Sequence, residues 1–237
     1  MSARIYLIYL FIGAGLTACS FDIYQRGTPS YVDIRERTST GNRIDTLVAP
    51  YQGELAEEMS RVIGKAEVDF VKQRPWGNLG NLVADAMLEH GRTLVSNNSI
   101  PVVCVLNHGG LRASLTKGEI TVGDVFKLLP FDNELVLVQL PEEATKELFE
   151  WLKAGGGHPI SGLKISGKEM KLSSGESLEQ GVWVVTSDYL MNGGDHADFF
   201  QKGTNRISSN KMMRDVFLEY VEHVKVLKDN QDQRIVW

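Results

Sequence analysis

A valine-rich apolar run, Pro101-Val102-Val103-Cys104-Val105-Leu106, leads without a break into Asn107-His108-Gly109-Gly110-Leu111-Arg112. Six apolar residues bounded by a turn signal predict a short buried strand. Two glycines then free the backbone for tight or positive-φ geometry, and a guanidinium follows at once. A strand ending in such a turn can hold an anion, because backbone N–H groups and a forked cation converge there. Taken alone, the same Gly-Gly-x-Arg is equally an ordinary turn beside a solvated arginine, so the rest of the chain has to decide.

Strand and helix signals interleave on both sides of that run. Helical spacing of Leu55, Met59 and Val62 predicts a helix over 51–62, and period-two alternation predicts a strand over 66–71. After the break at Pro75 and Gly77, Leu79, Leu82, Val83, Ala86 and Met87 define one face of a helix that Gly91 is expected to end. Thr121-Val122-Gly123-Asp124 resembles a capping box opening a short helix that Pro130 stops. Residues 134–140 alternate as a strand. Pro141-Glu142-Glu143 then opens a helix with carboxylates at the positive dipole end. Its inward face is expected to be Leu148, Trp151 and Leu152, and Gly155-Gly156-Gly157 its end. Residues 163–166, 169–172 and 181–187 read as strands, and 211–224 as a final amphipathic helix. The mixed order predicts an α/β (α+β) domain: a mixed sheet with flanking helices.

The N-terminal stretch Ile5 to Leu16 is apolar but shorter than the ~20 residues a membrane-spanning helix needs. It reads as the apolar core of a secretory signal. Leu16-Thr17-Ala18-Cys19 resembles a bacterial lipobox, in which the cysteine is acylated and becomes the first mature residue. The expected organisation is therefore a lipoprotein signal peptide over 1–18, a polar linker over 19–45 and one domain over 46–237. Within the linker, Tyr31-Val32-Asp33-Ile34 could add an edge strand. Acylated Cys19 would anchor the protein to the bacterial cell envelope, at the outer membrane or periplasmic side, without spanning it. The other cysteine, Cys104, reads as a small buried hydrophobe.

Net charge of −5 and 23% charged residues exclude a strongly basic surface, so no nucleic-acid polymer is expected as a partner. The five histidines, His90, His108, His158, His196 and His223, sit in none of the Asp-x-His, Gly-Asp-x-x-Asp, Asn-His-Glu or Gly-His-x-His patterns that two-metal phosphoesterases use. A nucleophile elbow and a phosphate loop are likewise missing from the sequence.

Four segments, in order, resemble the C-terminal domain of the 5'-nucleotidase family: Gly77 to Met87; Asn107 to Arg112; Gly118 to Thr121 leading to Leu129-Pro130-Phe131; and Ser187 to Asp195. The resemblance implies a substrate-recognition domain, with hydrolysis performed by a separate metallophosphoesterase domain that carries divalent metal ions. It implies that Arg112 meets the phosphate or ribose end of a nucleotide, with Asn107 offering an amide near the nucleoside. Gly109 and Gly110 would shape the turn. Phe131 and Tyr189 would clamp the base, and Asp195 would accept bonds from the ribose hydroxyls. Arg74 would be a further cation, in an uncertain register because Gln73-Arg74-Pro75-Trp76 departs from the family pattern. Tyrosine at 189 is a second departure, since phenylalanine is commoner there. His108 is expected to fill a variable position rather than act as an acid or base.

Substrate-binding groups are thus expected without a catalytic residue, cofactor or metal ligand in this chain. With the lipobox and the missing metal motifs, the resemblance leads to the expectation of a stand-alone bacterial lipoprotein that recognises nucleoside monophosphates for a separately encoded metallophosphoesterase subunit. Whether the chain itself counts as an enzyme stays open. The alternative is a non-catalytic nucleotide- or nucleoside-binding lipoprotein, and a third reading is an interaction module that binds no ligand.

Overall fold

A computed structural model describes residues 43–96, 100–175 and 178–237. The predicted signal segment, Cys19, most of the linker and the Tyr31–Ile34 strand lie outside the described residues. Thr46–Trp237 forms a compact unit. Its elements, in chain order, are α1 (Arg43–Ser60), β1 (Val62–Ala66), α2 (Asn78–Thr93), β2 (Val102–Val105), β3 (Gly118–Thr121), α3 (Val122–Leu128), β4 (Glu134–Leu140) and α4 (Glu142–Ala154). They continue with β5 (Ile160–Ser161), β6 (Leu163–Ser166), β7 (Glu169–Leu172), β8 (Val182–Ser187), α5 (Asp188–Met191), β9 (Asn205–Met212), α6 (Met213–Val224), β10 (Val226–Leu227) and β11 (Ile235–Val236).

The centre is a five-stranded sheet in the order β5-β2-β8-β4-β9. β2 and β8 run parallel, whereas β5, β4 and β9 are antiparallel to their neighbours. The expected mixed sheet with flanking helices is what the chain forms. Side chains alternate across it: Cys104, Leu135, Leu137 and Val185 join the core under α2 and α6. Val103, Val105, Val138 and Val184 join a second core under α4. Burial of both faces explains why β2 and β8 read as continuous apolar runs rather than alternating ones. Cys104 is a fully buried thiol, and that burial pushes its pKa up. Two small sheets, β10-β1-β3 and β11-β6-β7, complete the unit.

Several boundaries differ from expectation for physical reasons. The strand expected over 66–71 ends at Ala66, and beyond it only Phe70 bridges to Leu115. Val62 belongs to β1, and Tyr51 and Leu55 of α1 are exposed, so of the face its spacing suggested only Met59 packs against the core. Gly91 does not end α2, which runs on to Thr93. A Cβ at Gly91 would sit 2.3 Å from Val185 Cγ2, so this glycine lets the helix lie against β8. Residues 211–212 are strand, and α6 starts at Met213. β9 was not expected because Asn205–Met212 is polar; it forms by adding to the open edge of β4. The Thr121–Asp124 capping box is complete, with both reciprocal bonds present.

Candidate functional site

Sheet topology brings the singled-out segments to one edge. β2 and β8 are parallel neighbours, so the turn after β2 (Asn107–Arg112) and the segment after β8 (Asp188–Asp195) leave the sheet on the same side. β4 is antiparallel to β8, pairing Leu135 with Ser187, so the loop before β4 (Pro130–Asn133) arrives there too. β5 pairs Ile160 with Val105, which delivers the loop after α4. Ligands of open α/β sheets commonly bind outside the carboxyl ends of parallel strands.

Asp195 is the centre of the cluster. Its Oδ2 accepts from Asn107 Nδ2 at 2.9 Å, and its Oδ1 accepts from the Tyr189 hydroxyl at 2.8 Å. The Asp195 N–H donates back to the Tyr189 oxygen at 3.2 Å, and Trp151 Nε1 donates to the Asp195 carbonyl at 2.8 Å. The residue sits at φ 51°, a left-handed conformation that costs a non-glycine residue roughly 1–2 kcal/mol. Those four bonds hold it there. The adjacent carboxylate also raises the pKa of the Tyr189 phenol. Asp188 anchors the start of α5, its Oδ1 accepting from the Glu134 and Tyr189 N–H groups at 3.1 and 2.8 Å.

The glycine turn is a short 3-10 turn, His108–Gly110. A Cβ at Gly110 would lie 2.7 Å from Asn107 Oδ1, so the position must be bare for the amide to turn toward Asp195. Gly109 lies at the open side, where a Cβ would stand 4.0 Å from Asp195 Oδ2. Asn107 and Gly110 also line a small recess with Phe131 and Met213, which ties the aromatic to the same cluster. The Phe131 ring is half exposed, and the Arg112 guanidinium carbon stands 5.9 Å from its centroid. Arg214 straps the Phe131 loop: its guanidinium donates to the Leu129 and Pro130 carbonyls and pairs with Asp132 at 2.6 Å, stacking over Phe126.

Lys72 gathers beside Arg112. Its ammonium donates to the Leu111 carbonyl at 2.9 Å, and burial, then repulsion from Arg112 and Arg74, lowers its pKa. Arg74 is close enough to be felt but is directed elsewhere, donating to the carbonyls of Gly155 and Gly157 at the end of α4. His158 stacks on Trp151 at 4.0 Å, and its Nδ1 accepts the His108 backbone N–H at 3.1 Å. Burial, reinforced by Arg74, pushes both His108 and His158 down to about 4. Both imidazoles are therefore neutral near pH 7.

Asn107, Gly109, Gly110, Tyr189 and Asp195 thus form one bonded or touching set, with Phe131 and Arg112 adjoining it. Arg74 stands apart as a cap on α4. Trp151, His158, Lys72 and Arg214 contribute to the same edge and escaped the sequence reading. Trp151 packs against the core under α4, as its helical spacing suggested, and its indole N–H reaches Asp195 besides. Among the described residues no group of three or more His, Cys, Asp or Glu side chains could hold a metal ion.

The family described as 5'-nucleotidase, C-terminal domain, matches residues 62–202, and the chain belongs to that family. Rat 5'-nucleotidase is 28% identical over 190 residues, covering 67% of this chain and 33% of its own length. The trifunctional nucleotide phosphoesterase protein YfkN of Bacillus subtilis is 23% identical over 81% of this chain, and 15% of that protein is covered. A 5'-nucleotidase precursor from Thermus thermophilus superposes with a TM-score of 0.63 at 27% identity, covering 81% of this chain and 42% of the other. The chain spans less than half the length of each of these relatives.

Proposed function

We propose that this domain recognises a nucleoside monophosphate for a 5'-nucleotidase-type hydrolase. The observation that carries the reading is the Asn107–Asp195–Tyr189 ring, with Phe131 and Arg112 beside it at one sheet edge. An exposed aromatic offers a stacking face for any base, worth ~1–3 kcal/mol per base. A carboxylate accepts from sugar hydroxyls, and a guanidinium answers a phosphate. Lys72 adds a second cation at the Arg112 end. Among the described residues no group of side chains could hold a metal ion, and the hydrolytic metal ions would belong to a separately encoded metallophosphoesterase. Acylation at Cys19 would hold the domain at the bacterial cell envelope.

Calorimetry with adenosine monophosphate tests the recognition step. The wild-type protein should bind, and Arg112→Ala should weaken binding by more than tenfold. Mixed with the metallophosphoesterase, the domain should raise phosphate release from nucleoside monophosphates in the presence of divalent metal ions. Equal release by the phosphoesterase alone would overturn the split-hydrolase part. Binding without any gain in release would favour the capture lipoprotein instead.

A further inference from the structure

The base-facing residue at 189 is a tyrosine, and its oxygen is more than an ornament on a stacking ring. The ring lies flat against the chain: a Cβ at Gly194 would meet Cε1, Cζ and Cε2 at 2.5–2.6 Å. Seated this way, the hydroxyl closes a loop of two bonds with Asp195, donating to Oδ1 and accepting from the Asp195 N–H. A phenol has one proton to give, and that proton is spent on the carboxylate. Asn107 engages the second carboxylate oxygen from the other side. An ionised carboxylate offers about four lone-pair sites over its two oxygens. One on each oxygen is taken, leaving one on each for an incoming ligand. Asp195 is exposed, so these remaining acceptors are open to solvent.

We propose that the Tyr189 hydroxyl is a positioning group for sugar selection: it locks the Asp195 carboxylate so that its two free acceptors meet the paired hydroxyls of a ribose. The inference rests on the nucleotide reading above and adds to it the residue that orients the sugar-facing carboxylate. Phenylalanine at this position would keep the stacking face and lose the lock. The carboxylate would then be held by Asn107 alone and could rotate about its χ2 angle. A ligand bearing both hydroxyls would have to order it on binding, whereas a ligand lacking them would be indifferent to the change.

The test compares adenosine monophosphate with 2',3'-dideoxyadenosine monophosphate by calorimetry, on the full chain and three variants. In Tyr189→Phe the preference for the ribose form over the dideoxy form should fall about tenfold. In Asp195→Asn the preference should also fall, and adding Tyr189→Phe to it should change the preference no further, because the hydroxyl acts through the carboxylate. Such non-additivity is what a positioning role predicts and a general loosening of the loop does not. Wild-type binding with an unchanged preference in Tyr189→Phe overturns this inference alone, as does an additive double variant. Failure of the wild type to bind either nucleotide overturns the recognition reading and this inference with it.

Discussion

Two aspartates in this domain sit in dense hydrogen-bond clusters and do opposite things. Asp85, on α2, pairs with Arg234 at 2.7 Å and accepts from Asn230 and Ser161. Arg234 is nearly fully buried and also donates to the Ile160 carbonyl, while Asn81 beside it holds the Asn230 and Asp232 carbonyls. That cluster pins the C-terminal segment onto α2 and β5. Asp195 has as many partners, yet none is a cation, and its side chain faces water. A carboxylate whose charge is already matched by a buried guanidinium has little left to offer a ligand. One held by neutral donors keeps its charge and part of its hydrogen-bonding capacity. Charge pairing, rather than the number of bonds, separates the structural acid from the one proposed to recognise a ligand.

That contrast can be broken by mutation. The largest stability effect should come from Asp85→Ala, which leaves the buried Arg234 only the more distant Asp232 carboxylate, at 3.5 Å. Removing one partner of a buried pair costs ~3–5 kcal/mol, read as a lowered urea midpoint. The partner site is partly open at Asp85, so the lower end of that range is expected. Asp195→Ala should do the reverse. Its stability should stay within about 1 kcal/mol of wild type, since the freed donors can turn to water. Adenosine monophosphate affinity should fall by about 1.5–3 kcal/mol, the usual loss for hydrogen bonds to a charged group. A variant of Asp195 that unfolds the protein, or one of Asp85 that spares it, would erase the distinction.

Acidification sharpens the same comparison more gently. The neutral His158–His108 pair adjoins Trp151, on which His158 stacks, and each imidazole has its pKa lowered from 6.5 to about 4. Between those values the unfolded chain binds more protons than the folded one, so stability rises with pH across the window and is lost as pH falls from 6.5 toward 4. Below about 4 the His158 Nδ1 becomes protonated and can no longer accept the His108 N–H. Urea midpoints at pH 7.5 and 5 should therefore drop in the wild type and drop less in His158→Gln. An identical pH slope in both proteins would remove the histidine pair from the account.

Much of the architecture is legible in local pattern. The Glu134–Leu140 strand, the Thr121 capping box and the hairpin strands at 163–166 and 169–172 follow from periodicity and turn chemistry, because these elements satisfy their own hydrogen bonds or alternate plainly. β9 does not, since a polar edge strand exists only where a neighbour offers an unpaired ladder. Gly91 misleads for a related reason: its meaning lies in Val185, ninety-four residues away in sequence.

The candidate site divides along the same line. Local sequence, read through its likeness to a family, singles out Asn107, Arg112, Phe131, Tyr189 and Asp195, since glycine turns and aromatics leave short-range marks. Only the tertiary structure could turn Arg74 toward the end of α4, bring Lys72 beside Arg112, and place Trp151 and His158 behind Asp195. Each of those relationships depends on the direction of a strand or the packing of a helix. Residue type sets what a side chain can donate, accept or stack upon, whereas its partner is chosen by chain segments that the sheet brings together from far apart.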